Sequence, residues 1–399
     1  MTVLGDPHVY KKQNHKKQNY KKQVVQKQIY QKKLNSGTLT VMASRGTASL
    51  ETLFDIAERR NPKRAFLFVS KVLGRHIPIK PSVMRSIYQQ LSGQFPANLP
   101  SPALYIGMAE TAVGLAAGVF QETKHKVDES VFLTSTRHPV DGDLLCEFKE
   151  NHSHATDHLI YWPTENRLRQ RVINARTLVL IDDEATTGNT FLNLLDALRN
   201  AGLEHIEHIV TVTLTDWSGK SIVKRSPLPV SIVSLIEGNW QWDADMSAPV
   251  PVMPPVNVTA RGEVSIIGQQ NWGRLGLDEI QCDIGTTIRV KASENVLVLG
   301  SSEFVWQPFL LAERLEQEGA SVVFGSTTRS PISCGHAIQS VMAFTDNYGL
   351  SIPNFLYNVA HQKFDRILFC LETPKISVDP ALMAQLVQVS PVVEIVGYD

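Results

Sequence analysis

Short apolar runs separated by helical or turn-forming segments set the pattern of this chain. Ala65–Val69, Leu104–Ile106, Val131–Leu133, Leu159–Tyr161, Leu178–Ile181 and Ile209–Leu214 are runs of this kind. Runs so short, with little polar alternation, suit strands covered on both faces. After Gly188 the apolar residues Phe191, Leu194, Leu195 and Leu198 recur at helical spacing, and Gly202 stands where a helix C-cap belongs. Strands alternating with helices predict an α/β domain with a mainly parallel, doubly wound sheet over residues 34–245. The run SAPVPVMPPV then carries four prolines, which cannot sustain a sheet interior, and predicts a linker over 246–262. Beyond it Val296–Leu299, the amphipathic Pro308–Glu318 and Val322–Phe324 predict a second β-α-β unit, with later strands at Ile367–Leu371 and Val392–Val396. A second, smaller, Rossmann-like α/β domain over 263–399 is expected.

Composition adds bounds. At 399 residues and 43% hydrophobic content, the chain buries a large core. No apolar run approaches the ~18 residues of a membrane span, and nothing reads as a secretory signal, so no membrane contact and a cytoplasmic location are expected. Cys146, Cys282, Cys334 and Cys370 form no CxxC pair, which argues against a zinc site or a disulfide framework. The formal net charge of zero hides an asymmetry: nine lysines precede residue 40 against Asp6 alone, leaving 30 basic and 38 acidic residues from Thr40 onward, a net of −8. Within that basic arm KKQNH-KKQNY-KKQVV repeats with a period of five, matching neither helix nor strand, so residues 1–33 read as disordered. Nucleic-acid contact is expected only here, through lysines and Tyr10, Tyr20 and Tyr30. A solvated extension is the other reading.

The most informative stretch is LVLIDDEATTGNT, Leu178 to Thr190. A buried strand delivers Asp182 and Asp183 to its carboxyl end, where open α/β sheets bind ligands. A hydroxyl-rich turn with Gly188 then leads into a helix N-terminus, a cradle for phosphate. Adjacent carboxylates there suit ribose hydroxyls and Mg²⁺, directly or through water. A capped turn of no special chemistry is the alternative.

In that order these features resemble the phosphoribosyl-pyrophosphate (PRPP) loop of the type I phosphoribosyltransferases. The resemblance implies that Asp182, Asp183, Ala185, Thr186, Thr187, Gly188, Asn189 and Thr190 bind PRPP, with Asp182 and Asp183 also catalytic and holding Mg²⁺. It implies that the turn Met108, Ala109, Glu110 and Thr111, after the strand of YIGMAETA, grips pyrophosphate. Glu110 is an awkward residue beside a polyanion. The segment 134–158 falls where the family carries a mobile catalytic loop, which makes Arg137, His152 and His154 candidates to assist departure of pyrophosphate. A structural metal among Glu147, Glu150, His152, His154, Asp157 and His158 matches no zinc spacing. The basic stretch 61–81, with Lys63, Arg64, Lys71, Arg75 and His76, falls where the acceptor is covered by a hood, and Lys71 is assigned to PRPP. A hydroxyl at Thr186, where 6-oxopurine enzymes commonly carry an acid, resembles the orotate-type enzymes instead.

In the second half, STTRSP from Ser326 to Pro331 is similar to the signature of the TRSP domain that follows an orotate-type phosphoribosyltransferase in a bacterial family associated with tellurite-resistance gene clusters. Gly300, Ser301 and Ser302 after one strand, and Ser326, Thr327, Thr328 and Arg329 after the next, should open on one sheet edge as a second phosphate or carboxylate site. Glu303, Asp346 and Tyr348 are placed near it. The resemblance implies Mg²⁺-dependent transfer of the phosphoribosyl group of PRPP to a nitrogenous base or related acceptor with release of pyrophosphate. Partners are then PRPP, an unidentified base-like acceptor and enzymes of the same pathway, and a homodimer is expected. A PRPP-sensing regulator without turnover, or a pathway scaffold, stays open as an alternative.

Overall fold

The computed structural model describes residues 27–61, 64–148, 158–254 and 273–398. The chain opens with β1 (Gln28–Leu34), β2 (Gly37–Gly46), α1 (Leu50–Leu53), β3 (Phe54–Glu58) and β4 (Phe66–Ser70). Then come α2 (Pro81–Gly93), β5 (Ala103–Gly107), α3 (Val113–Thr123), β6 (Val131–Thr134), β7 (Leu144–Phe148), β8 (His158–Tyr161) and α4 (Asn166–Ile173). The unit closes with β9 (Thr177–Ile181), β10 (Glu184–Ala185), α5 (Asn189–Asn200), β11 (His208–Asp216), α6 (Ser221–Arg225) and β12 (Val230–Ala244).

The main sheet runs β1-β2-β12-β11-β9-β5-β6, with β10 extending onto β11. From β12 to β6 all pairs are parallel, whereas β2 meets β12 and β1 meets β2 antiparallel. β9 and β5 are buried along their whole length, which is why both read as continuous apolar runs.

Three expectations are corrected here. The last residues of the arm, up to 33, are ordered: Gln28–Leu34 is an edge strand whose residues alternate in exposure. Tyr30 and Lys32 turn inward to Asp55, at 3.2 and 3.0 Å, while Ile29, Gln31 and Lys33 are exposed. Exposed lysine on an edge strand discourages pairing with another chain. The earlier arm lies outside the described residues. Two apolar runs expected in the sheet leave it: Ala65–Val69 falls in the antiparallel hairpin β3-β4, and Leu159–Tyr161 in the antiparallel hairpin β7-β8.

The second unit contains β13 (Asn295–Gly300), α7 (Trp306–Gln317), β14 (Ser321–Ser326), β15 (Val341–Thr345), β16 (Pro353–Tyr357), β17 (Arg366–Cys370), α8 (Pro380–Leu386) and β18 (Val393–Val396). Its parallel sheet runs β14-β13-β17-β18, and β15-β16 is a separate hairpin. Because the chain leaves β13 toward β14 and returns to its other side as β17, the sheet switches direction between β13 and β17. The carboxyl ends of those strands are where such a sheet opens a crevice.

The units are not beads on a string. Each covers an edge of the other's sheet: Phe132 of β6 exchanges backbone hydrogen bonds with Leu277 (2.8 and 3.1 Å), and Phe324 of β14 with Ile79 (2.8 and 2.9 Å). Between the sheets α2 and α3 face α7, and Tyr88 packs edge-on to Phe309 with centroids 5.7 Å apart. Gly118 permits this, since a Cβ there would lie 2.3 Å from the Tyr88 ring. Tyr88 and Phe309 are fully buried, and a buried side chain of Phe size contributes roughly 1.5–3 kcal/mol. One apolar core therefore runs through both units.

Candidate active site

The site begins where β9 stops. Asp182 and Asp183 follow Ile181 at the carboxyl edge of the sheet, both partly exposed. Their backbone is fixed by β11: Asp182 N donates to Val212 O (3.1 Å), and Asp183 O accepts from Leu214 N and Thr215 N (3.1 and 3.4 Å). Asp182 Oδ1 accepts from Asp183 N at 2.9 Å. The Glu184–Ala185 pair then joins β11, so the loop that follows starts from a rigid base. Gly188 stands at φ +73° as the N-cap of α5, a left-handed conformation that glycine adopts without penalty. It brings no side-chain cap; Asn189 N, the first amide of the twelve-residue helix, donates to Thr187 Oγ1 (3.3 Å), and the amides that follow it in the first turn are the ones a phosphate would meet. Thr186, Thr187, Asn189 and Thr190 surround that end, partly or fully exposed, and Arg225 steadies it through Asn189 Oδ1 (2.6 Å).

Beside it, β5 delivers the second predicted segment. Met108 N donates to Ile181 O (3.0 Å), so the turn 108–111 lies against the strand end that carries Asp182. Ala109 N donates to Ser135 Oγ (2.9 Å), and the Ala109–Glu110 peptide is cis. α3 starts at Val113 without a side-chain cap. Glu110 is no longer awkward: its carboxylate is ion-paired to Arg75 and to Arg329 (3.5 Å). Arg75 is thereby corrected from a hood cation to a buried clamp at 3% exposure, and its neighbour His76 is buried too.

The loop after β6 supplies the third segment. Ser135 Oγ contacts His158 Nδ1 (2.9 Å) and Arg137 Nη2 contacts His158 Nε2 (3.0 Å), tying the loop to β8. Thr136 Oγ1 and Arg137 N donate to the two oxygens of Glu303, at 2.6 and 2.8 Å. His138 stacks on Tyr348 with centroids 4.0 Å apart. Burial holds His138 below the ordinary imidazole pKa of 6.5, against the pull of Glu303. His152 and His154, with most of the suggested metal cluster, lie outside the described residues. Among the described residues no group of three or more His, Cys, Asp or Glu side chains is arranged to hold a metal.

Over the Asp183–Glu184 edge sits the β3-β4 hairpin, whose second strand belongs to the 61–81 stretch. Phe54, Phe68, Ser70, Asp183, Glu184 and Leu214 line a narrow cleft between them. Beside it Arg64 Nη2 donates to both carboxylate oxygens of Glu184 (2.8 and 3.1 Å), with the guanidinium over the rings of Phe66 and Phe68. Phe68 stacks on Trp217 with centroids 5.4 Å apart. Lys71, assigned to PRPP, follows the end of β4. Its ammonium donates to Glu51 O (2.8 Å).

The second-domain candidates do converge on the crevice at the ends of β13 and β14, but protein fills it. Ser301 Oγ donates to Asn347 Oδ1 (2.6 Å), Thr327 N to Gly300 O (3.0 Å), and Thr328 exchanges backbone hydrogen bonds with Phe355. Ser302 Oγ lies 3.3 Å from His138 Nε2 and 3.4 Å from Glu110 Oε1, and Ser326 Oγ accepts from Arg75 (3.2 Å). At the centre Arg274 is bidentate on Glu372 (2.7 and 2.8 Å) and reaches Glu303 (3.2 Å), while Tyr348 donates to Glu372 (2.6 Å). Burial opposes the charge on Glu303, yet His138, Arg274 and the Thr136 and Arg137 hydrogen bonds pull its carboxyl down to about 2. Asp346 only closes a turn, accepting from the amides of Tyr348, Leu350 and Ile352. Arg274 and Glu372 escape sequence reading altogether. They lie far apart in the chain, in segments without periodic pattern, and only the fold brings them together.

With this geometry in view, comparison with known families is decisive. A phosphoribosyl transferase family model matches residues 53–239, and the model of the TRSP domain C-terminal to it matches residues 270–389. The chain belongs to this two-domain phosphoribosyltransferase family. Together the matches cover the β3-β4 hairpin, the 108–111 turn, the Asp182–Thr190 loop and the TRSP signature of this phosphoribosyltransferase. No curated protein matches the chain. Among solved structures, adenine phosphoribosyltransferase from Trypanosoma brucei in complex with AMP, pyrophosphate and ribose-5-phosphate is 15% identical, covering 46% of this chain and 77% of its own, at TM-score 0.32. The Leishmania donovani adenine enzyme gives 16%, 47%, 77% and 0.33, and the Aeropyrum pernix orotate enzyme 16%, 43%, 79% and 0.27. No described helix is long and apolar enough to cross a membrane.

Proposed function

We propose that the protein transfers the phosphoribosyl group of PRPP, with Mg²⁺, to a planar nitrogenous acceptor and releases pyrophosphate. The observation that carries this is the convergence, at one sheet edge, of the Asp182–Asp183 pair, the uncapped α5 N-terminus at Gly188 and the 108–111 turn. In this reading Ala185 to Thr190 take the 5′-phosphate, Asp182 and Asp183 the ribose hydroxyls, and Met108 to Thr111 the pyrophosphate. The two carboxylates fit Mg²⁺, a hard cation that keeps several waters and takes further oxygens from a bound diphosphate. When bound, it would neutralise charge on the leaving group.

The protein's own share is positional and electrostatic. In this reading the turn's amides beyond Met108 and Ala109, which are bonded within the protein, and the cationic loop at Arg137 face the end where negative charge develops, and the Asp pair faces the electron-poor ribose. The cleft under the β3-β4 hairpin, lined by Phe54, Phe68 and Asp183, holds only about 20 Å³, so in this reading the hairpin moves aside to admit a flat ring that presents a nitrogen to C1′. The test is to incubate the protein with PRPP, Mg²⁺ and a panel of purine, pyrimidine and other nitrogen heterocycles, following pyrophosphate release. Acceptor-dependent release that disappears in Asp183→Asn supports the reading. Absence of release across the panel, despite measurable PRPP binding, supports a sensor instead.

A further inference from the structure

Two carboxylate contacts cross from the second unit's side to the loops that flank the pyrophosphate end. Glu303 takes both the Thr136 hydroxyl and the Arg137 amide, and is itself 4% exposed. It cannot swing away, because Arg274 holds it from behind and is locked in turn by the bidentate contact with Glu372. Arg329 of the TRSP signature meets Glu110 on the 108–111 turn, opposite Arg75. Among the described residues its guanidinium makes no hydrogen bond, and this ion pair is its charged contact. Arg75 in turn is fixed by Ser302 O and Ser326 Oγ, both from the second unit. The crevice that an α/β sheet of this topology would offer to a ligand is thus spent on gripping two loops of the transferase unit.

We propose that the C-terminal unit is a wall of the transferase site: Glu303 and Arg329 are positioning residues that set the 134–138 loop and the 108–111 turn for pyrophosphate. Glu303 fixes the backbone from which Arg137 projects. Arg329 and Arg75 together neutralise Glu110, without which that carboxylate would repel a polyanion entering the same turn. The second unit then holds no separate substrate site in this crevice, and removing it disables the first. This inference rests on the transferase reading.

Calorimetry with two probes separates the two ideas. Magnesium pyrophosphate reports on the 108–111 and 134–138 side, and ribose 5-phosphate on the 186–190 loop, which among the described residues has no hydrogen bond to the second unit. In Glu303→Gln and Arg329→Ala, pyrophosphate affinity should fall at least about tenfold, the scale of one charge-assisted contact. Ribose 5-phosphate affinity should stay within about twofold, and Arg329→Lys should recover part of the loss. Unchanged pyrophosphate affinity overturns the proposal, as do equal losses for both probes, which mark general damage to the fold. Wild-type protein that binds ribose 5-phosphate but not pyrophosphate overturns it too. Wild-type protein that binds neither overturns the transferase reading itself.

Discussion

Replacing Arg274 by methionine tests the buried junction most severely. Arg274 is 3% exposed and is the shared partner of two buried carboxylates, Glu303 and Glu372. Removing one member of a buried ion pair typically costs about 3–5 kcal/mol, because the remaining charge has no solvent and no partner. Two stranded carboxylates put this variant toward the upper end, at about 4–5 kcal/mol near neutral pH. At roughly 2–4 °C per kcal/mol for domains of such size, the melting temperature should drop by about 10 °C or more. The sign of the pH effect follows from Glu303. Its pKa is held at about 2 in the wild type, below the ordinary 4.5, so its contribution is complete above 4.5 and lost as pH falls through about 2. In Arg274→Met the Glu303 carboxyl loses a cation that opposes its burial and its pKa rises, folding takes up a proton, and the penalty relaxes as the solution becomes more acidic. Urea melts at about pH 8 and about pH 5.5 should therefore show a wild-type–variant gap that narrows at the lower pH. Adding Glu372→Gln to Arg274→Met should restore part of the loss. A gap under about 1 kcal/mol, or one independent of pH, would refute the claim that this network is a working buried ion cluster.

Other expectations follow from the same geometry. Gly188→Ala forces a side chain into the left-handed region and sets its Cβ 3.2 Å from Ile222 Cβ, so ribose 5-phosphate affinity should drop by about tenfold, at a cost of about 1–2 kcal/mol; unchanged titration curves count against the phosphate loop. His76 is buried with both ring nitrogens unpartnered among the described residues, and burial, helped by Arg75, pushes its pKa to about 3. Its unfolded form gains a proton below 6.5 that the folded form refuses, so stability is full above 6.5 and declines as pH falls toward 3, by up to about 1.4 kcal/mol per pH unit. His76→Leu should flatten that decline between about pH 6.5 and about pH 5, and a slope identical to wild type would contradict the assignment. Removing residues 1–26 should leave PRPP affinity unaltered, whereas removing 1–33 strips β1 from the sheet and should lower the melting temperature. A truncation at 26 that abolishes PRPP binding or turnover would show that the arm belongs to the site.

What the sequence disclosed, and what it hid, divides along physical lines. β9 and α5 were legible because each is a local pattern: an unbroken apolar run, then Phe191, Leu194, Leu195 and Leu198 on one helix face. The Asp182–Thr190 loop between them was legible for the same reason, since its strand, turn and helix are contiguous. Leu159–Tyr161 misled because a short apolar run does not reveal whether its partner is parallel or the other arm of a hairpin. Gln28–Leu34 was concealed by low-complexity lysine and glutamine, although Tyr30 and Lys32 do alternate inward. The junction was not legible at all. Thr136, Arg274, Glu303, Tyr348 and Glu372 form one buried network from five separate stretches, and no local spacing encodes such a meeting. For that reason the TRSP loops read as a free ligand site, when much of their polar capacity is turned toward the transferase unit.

The central claim is that Asp182 and Asp183 stand at the ribose of bound PRPP. The most direct measurement is calorimetric titration of PRPP with Mg²⁺ into the wild type and into Asp182→Asn/Asp183→Asn, with melting curves to show that both are folded. The account predicts saturable binding to the wild type and its loss, by at least about a hundredfold, in the double variant, which forfeits two charged contacts. Equal binding to both proteins, or none to the wild type even with candidate acceptors present, would contradict it.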